Sequence, residues 1–220
     1  MNFIVKNTTI LNPLDLIAPH SCRGCGRLGT VLCDCCKNNI IKQRSTPNLK
    51  NLSKKFPSVY AIDQRSGLLD TLIHDFKYNS TRALATKLAE LLNASLPDFP
   101  PNSIVVPLPT VSQHIRARGL DHTLLLAKHL AKIRHLKVQK ILIRNKNTVQ
   151  VGANRKTRLA QAKSAYFISN KTGVNPNITY ILLDDVWTTG ASMKAAVKKL
   201  QQAGVSKIVV VLLAISSLDQ

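Results

Sequence analysis

Tyr180-Ile181-Leu182-Leu183-Asp184-Asp185-Val186-Trp187-Thr188-Thr189-Gly190-Ala191-Ser192-Met193 is the stretch that decides the fold of this chain. Residues 178–183 form a largely apolar run with the length and composition of a buried parallel strand. The run ends in two adjacent carboxylates, Asp184 and Asp185, and a turn of small residues follows from Thr188 to Ser192. Beyond it Ala195, Ala196, Val197 and Leu200 fall mostly on one side of a helix whose other side carries Lys194, Lys198 and Lys199. The order is therefore strand, acidic pair, hydroxyl-rich turn, helix.

That order has a chemical meaning. Open α/β sheets bind ligands in the crevice beyond the carboxyl ends of parallel strands. The first turn of the following helix has backbone N–H groups without intrahelical partners, which favour an anion. Gly190 permits a positive φ and a close backbone approach, and the hydroxyls of Thr188, Thr189 and Ser192 add donors around a phosphate. No lysine sits in the turn, so this is not the phosphate loop of nucleoside triphosphatases. Acceptor-only carboxylates beside a phosphate cup suit a sugar diol, and a ribose 5-phosphate carries both groups.

The stretch closely resembles the signature of type I phosphoribosyltransferases: apolar residues, two acids, two variable positions, Thr-Thr-Gly, a small residue, then Ser or Thr. The resemblance implies that Asp184 and Asp185 hold the ribose hydroxyls of phosphoribosyl pyrophosphate (PRPP). It implies that Thr188, Thr189, Gly190, Ala191 and Ser192 hold its 5-phosphate, with Mg²⁺ accompanying the PRPP.

The 220 residues suffice for one domain with a full core, or one domain plus a small module. Lys and Arg number 31 against 11 Asp and Glu, a formal charge of +20. Such an excess points to a polyanionic partner or an anionic substrate, with a solvated surface as the plain alternative. Aromatic residues, at 5%, rarely interleave with the basic ones and give no sign of a stacking platform for single strands. The longest apolar run, residues 208–215, is too short to span a membrane as a helix, so no membrane insertion is expected. Asn7, Thr8, Thr9, Asn12, Pro13 and Asp15 interrupt any signal-peptide core, and a cytoplasmic location is expected.

All five cysteines lie in the first 36 residues. Cys22 and Cys25, then Cys33 and Cys36, form two Cys-x-x-Cys knuckles separated by residues 26–32. Each knuckle can place two thiolates on one metal, and four thiolates satisfy tetrahedral Zn²⁺. A disulfide framework is the alternative, and a reducing cytoplasm disfavours it. Cys35 is left over, as a neighbour of the cluster or a substitute for Cys33, and His20 ranks below the cysteines as a ligand.

Residues 37–55 read as a polar, basic linker. A short strand is expected over 59–63, a helix over 68–78 with Leu69, Leu72, Ile73 and Phe76 on its apolar face, and a second helix over 83–92 with Leu84, Leu88, Leu91 and Leu92. The core starts near Ser103 with a strand over 104–106, which Pro107-Leu108-Pro109 stops and stiffens. A basic loop then carries His114, Arg116, Arg118 and Gly119, and a helix starts near Asp121, which together outline a second anion site. Strands follow over 138–144, 165–169 and 207–215. Residues 145–162 form a long basic loop with Lys146, Arg155, Lys156 and Arg158, of a length that is often functional. The expected class is α/β: a type I phosphoribosyltransferase-like parallel sheet flanked by helices, with a small N-terminal four-cysteine zinc module. The zinc-binding module and basic linker occupy residues 1–58 and the larger domain 59–220, divided into a helical lead-in at 59–102 and a core at 103–220.

Taken together, the cysteine knuckles, Lys77-Tyr78, the Val-Pro-Leu-Pro turn with Pro107 and Pro109, Arg118-Gly119, the basic-loop residues Arg144, Thr148, Gln150 and Arg158, and the acid-turn signature are similar to the ComF family over nearly the whole chain. The resemblance implies pyrophosphate contacts from Pro109, Arg116, Arg118 and Gly119 and a mobile loop acting through Arg144, Lys146, Gln150 and Arg158. It also implies a part in bacterial competence, the uptake of transforming DNA, beside a helicase-like partner, and the basic surface adds single-stranded DNA as an expected partner. The family's Arg-Gly-Phe-Asn-Gln looks here like Arg118-Gly119-Leu120-Asp121-His122, and the Asn expected after Arg158 looks like Gln161. Two functions compete: a PRPP-binding accessory protein in DNA handling, and a working transferase moving ribose 5-phosphate to a base or amine. Hypoxanthine-type transferases carry an aspartate at the place of Thr188, so 6-oxopurine salvage is disfavoured.

Overall fold

In the computed structural model, residues 20–44, 52, 56, 58–79, 82–144, 166–169 and 173–216 are described. Among them the strands in chain order are β1 (Val59–Gln64), β2 (Ile104–Pro107), β3 (Lys137–Val138), β4 (Leu142–Arg144), β5 (Tyr166–Ile168), β6 (Thr179–Trp187) and β7 (Lys207–Ile215). The helices are α1 (Asp34–Gln43), α2 (Gly67–Tyr78), α3 (Arg82–Asn93), α4 (Ser112–Arg118), α5 (His122–Ile133) and α6 (Ala191–Gln202). Five strands make one parallel sheet in the order β1-β7-β6-β2-β3, and β4 pairs with β5 in a separate antiparallel ribbon. No described helix is long and apolar enough to cross a membrane.

The sheet is apolar on both faces, as a parallel sheet covered on both sides requires. Ile181 and Leu183 of β6 join Val105, Val211 and Leu213 in a core shared with α2, α3 and α5. Tyr180 and Leu182 join Ile104, Val106, Val210 and Leu212 in a second core, closed by Met193, Ala196, Val197 and Leu200 of α6 and by Leu142 and Tyr166 of the ribbon. The apolar stripes of α2 and α3 are buried at the positions that helical spacing predicts. In α5 the side chain of Asp121 accepts the Leu124 N–H at 3.1 Å and so sets the helix phase. That phase buries Leu126, Ala127, Leu130 and Ala131 and leaves Leu124 and Leu125 half-buried.

Four expectations need correction. Residues 37–43 are helical rather than linker. Helix α1 buries only Cys36, so it lacks a strong apolar stripe, and its N-cap is a cysteine rather than one of the usual capping residues. Residues 112–118 form helix α4 rather than a loop. It buries none of its residues, so no stripe betrays it, and Gly119 closes it in the left-handed region at φ 67°. Residues 138–144 are two short strands in different sheets: the Gln139 N–H still donates to the Val105 carbonyl, and the chain then crosses to pair β4 against β5. Finally, β6 does not stop before its acids. Its ladder with β7 runs on through Asp184–Leu212, Val186–Ala214 and Trp187–Ile215.

The topology singles out one place. From β2 the chain passes through α4 and α5 to β3 on one side, and from β6 it passes through α6 to β7 on the other. Helices α5 and α6 lie on opposite faces. The sheet's switch point is therefore the crevice between the carboxyl ends of β2 and β6.

Candidate functional site at the switch point

At the end of β6 the turn residues Thr188, Thr189, Gly190, Ala191 and Ser192 line a small cavity together with Asp184, Val186, Trp187, Met193 and Leu212. Gly190 is the N-cap of α6 and sits at φ 67°. A Cβ there would approach the Trp187 ring to 2.0 Å, so glycine is required both by the backbone and by the indole beneath it. Trp187 is buried and meets Phe56 edge to face at 5.8 Å, giving the turn a rigid floor. The N-terminal turn of α6 thus opens on the cavity with the positive end of its dipole.

Beside it runs the segment after β2. The Leu108 N–H donates to the Leu183 carbonyl at 2.8 Å, tying this segment to β6 immediately before the acids. The Thr110 hydroxyl donates to Asp121 Oδ1 at 3.2 Å, which closes the loop on the cap of α5. Pro109 is half-buried, and Arg116 and Gly119 are exposed. Arg118 turns toward α2, its guanidinium 4.8 Å from the centre of the Tyr78 ring.

The two acids part company. Asp184 lines the turn cavity, whereas Asp185 points to the α2 side and meets Lys77 Nζ at 2.9 Å. This follows from the extended backbone, which sends successive side chains to opposite faces. Burial, then the neighbouring Asp185 charge, push the Asp184 carboxyl up to about 8; the Asp185 N–H, Lys77 and Arg144 only partly offset this. The carboxyl lies deep, although the residue as a whole keeps a half-buried edge.

At the N-terminus, one sulfur each from Cys22, Cys25, Cys33 and Cys36 lie within 4.8 Å of one another, and Cys35 and His20 are outside this group. Cys33 caps α1 and accepts the Cys36 N–H at 3.5 Å, and the Cys33 N–H donates to Cys22 Sγ at 3.4 Å. Burial pushes the Cys22 thiol up, but hydrogen bonds from Cys33, Cys25 and Gly24 outweigh it and bring it down to about 6. The hydrogen bond with Cys33, then burial, hold Cys36 up to about 12. Four converging sulfurs that cannot all ionise unaided, set at a helix N-terminus, fit a tetrahedral metal ion.

No family model matches the chain. It is 27% identical over 200 residues to competence protein ComFC of Bacillus subtilis strain 168, across 87% of this chain and 75% of that protein. The chain resembles this competence protein over most of its length.

The structure brings Asp184 and residues 188–192 together, with the 109–119 segment alongside at the next strand. Lys146, Gln150 and Arg158 lie outside the described residues. Arg144 ends β4, donates to the Tyr166 hydroxyl at 3.2 Å and lies 5.5 Å from the centre of its ring. Burial raises the Tyr166 phenol, while Arg144 and a hydrogen bond with Ser192 of the turn pull it down. Sequence reasoning missed Tyr166 as a partner of the turn, and nothing in residues 165–169 distinguishes it from an ordinary core aromatic. It missed the Lys77–Asp185 pair as well, although strand alternation places Asp185 with Ile181 and Leu183 on the α2 face. His122 is fully buried against Phe76, with neither ring nitrogen in a well-formed hydrogen bond. Burial, then Arg118, lower its tendency to protonate, against the pull of Asp185.

The raised Asp184 carboxyl makes folding pH-dependent. The folded state holds the extra proton between the ordinary carboxyl value of 3.8 and about 8, so this residue's contribution to stability is lost as pH rises across that window. Asp184→Asn removes the slope. Thermal melts should show the variant's Tm above wild type near about pH 8, with the gap closing toward about pH 4. A gap independent of pH would contradict the assignment.

Proposed function

We propose that this chain is a PRPP-binding ComF protein acting in competence, with the ribose 5-phosphate of PRPP bound at the switch point. The observation that carries this reading is the meeting of Asp184, the left-handed Gly190 and the N-terminal turn of α6 around one cavity. The 5-phosphate lies against residues 188–192, where backbone N–H groups and hydroxyls replace its hydration. Asp184 and Asp185 take the ribose hydroxyls, and the Mg²⁺-pyrophosphate end extends toward Pro109, Arg116, Arg118 and Gly119. Arg144, and Lys146, Gln150 and Arg158 of the segment that follows it in sequence, would add positive and polar contacts to the pyrophosphate. Calorimetric titration of Mg²⁺-PRPP above about pH 8, where the Asp184 carboxyl is ionised, should show binding to wild type and at least about tenfold weaker binding to Asp184→Asn or Asp185→Asn, since each variant loses a charge-assisted hydrogen bond. Equal affinities would remove the acids from the site.

The metal in the cysteine cluster is zinc, held by Cys22, Cys25, Cys33 and Cys36 in a reducing, cytoplasmic setting. Four thiolates without oxygen ligands favour this ion. Elemental analysis should find about one zinc per chain, and Cys33→Ala should lose it and melt at a lower temperature. A metal-free protein with an unchanged melt would overturn the assignment.

The role in competence draws on the name of the Bacillus subtilis relative, and the +20 charge fits a polyanion such as single-stranded DNA, handled beside a helicase-like partner. Binding to a single-stranded oligonucleotide should weaken steeply with salt, with a log–log slope of about −0.7 per phosphate contact. A flat salt dependence would exclude DNA as the polyanion.

A further inference from the structure

The Lys77–Asp185 pair lies apart from the turn cavity, yet it fixes one of the two acids. Asp185 Oδ1 accepts the Val186 N–H at 2.5 Å and Oδ2 faces Lys77 Nζ at 2.9 Å. The Lys77 and Asp185 side chains are only 15% and 18% exposed, so solvent screens the pair weakly. Lysine has a long, rotatable stem, and its place depends on the helix turn that carries it. That turn is the last of α2, where carbonyls lack intrahelical partners and helices ordinarily fray.

Here the last turn is pinned from outside. Asp75 Oδ2 accepts Arg23 Nε at 2.5 Å, and Asp75 Oδ1 accepts Asn79 Nδ2 at 2.8 Å. The Asn79 N–H in turn donates to the Asp75 carbonyl at 3.0 Å. Arg23 belongs to the first cysteine knuckle, between Cys22 and Cys25, and also donates to the Ser21 carbonyl at 3.2 Å. Its neighbour Gly24 touches the start of the same helix. A Cβ at Gly24 would come within 2.7 Å of Cys36 Sγ and 2.8 Å of Leu68. One knuckle therefore grips α2 at both ends, and the positions of its cysteines set where Arg23 and Gly24 stand.

We propose that Lys77 is a positioning residue for Asp185 and that the cysteine module sets Lys77 through the Arg23–Asp75 contact. The consequence for ligand binding rests on the PRPP reading above; the mechanical coupling does not. Metal loss then loosens the knuckle, frees the last turn of α2 and releases Asp185, so the cysteine module tunes the acid end of the switch-point crevice. A purely structural Arg23–Asp75 bridge would stabilise the fold without reaching Asp185.

The test compares wild type, Arg23→Ala, Lys77→Met and Lys77→Arg, each checked for metal content. In hydrogen exchange, Arg23→Ala should speed amide exchange at residues 75–79 and at 184–187, and Lys77→Met should do so at 184–187 with the module unchanged. Asp75→Asn, which leaves the knuckle's own residues intact, should reproduce the Arg23→Ala pattern even if that variant loses metal. In Mg²⁺-PRPP titration, Arg23→Ala should weaken binding about fivefold or more. It should weaken it no further in the Lys77→Met background, and Lys77→Arg should restore most of the affinity. Unchanged exchange at 184–187 in both Arg23→Ala and Asp75→Asn, or additive losses in the double variant, overturns the proposal. If wild type itself does not bind PRPP, the PRPP reading falls and the exchange data still decide the coupling.

Discussion

The two-residue period of an extended strand is the constraint on which the rest of the site depends. Strand β6 stays hydrogen-bonded to β7 through Trp187, so Asp184 and Asp185 leave it in opposite directions. One carboxyl enters the turn cavity under α6, is desolvated and is pushed toward the neutral range. The other crosses to α2 and is held beside the Lys77 ammonium. Adjacent acids buried on one face would repel each other with little to offset the cost. Split between faces, each has its own surroundings, and both remain at the rim of the one crevice where the chain's connections diverge. Protein interiors that push paired carboxylates apart in this way commonly do so at working sites.

The same strand explains why the turn is stiff. Its last residue, Trp187, is anchored by the ladder to Ile215 and by Phe56, and it occupies the space that any side chain at position 190 would need. An N-terminal helix turn above a fixed indole is pre-organised for an anion, with little ordering left to do on binding. On the opposite face the cysteine segment is part of the fold rather than an appendage. Cys22, Val31, Leu32, Cys33 and Cys36 share one apolar core with α2, α3 and α5, and Lys37 reaches Glu90 of α3 at 3.1 Å. A metal held by the four sulfurs would therefore be linked to the packing of α2 wherever the knuckle touches that helix.

Much of this was legible in the sequence because strong local rules agreed with the global fold. The apolar runs at 178–183 and 207–215, the leucine stripes of α2 and α3, and the cysteine spacing each follow one period or one ligand geometry, and the structure repeats them. The failures have equally specific causes. Helix α4 buries nothing, so it carries no periodic signal. The polar pair Gln139-Lys140 hides a passage between two sheets inside what reads as one strand. The end of β6 was misplaced because polar residues usually mark a strand's end, whereas here backbone pairing with β7 outlasts the apolar run. Tyr166 and His122 depend on contacts across long sequence distances, which no local pattern encodes.

The central claim is that the turn after β6 holds a phosphate that is attached to a ribose. Amide NMR of the isotopically labelled protein titrated with ribose 5-phosphate tests it most directly. The account predicts saturable shifts concentrated at the amides of Gly190, Ala191 and Ser192, with the Trp187 indole following and inorganic phosphate producing weaker changes at the same positions. Shifts scattered over the basic surface, with the turn unmoved, would contradict it.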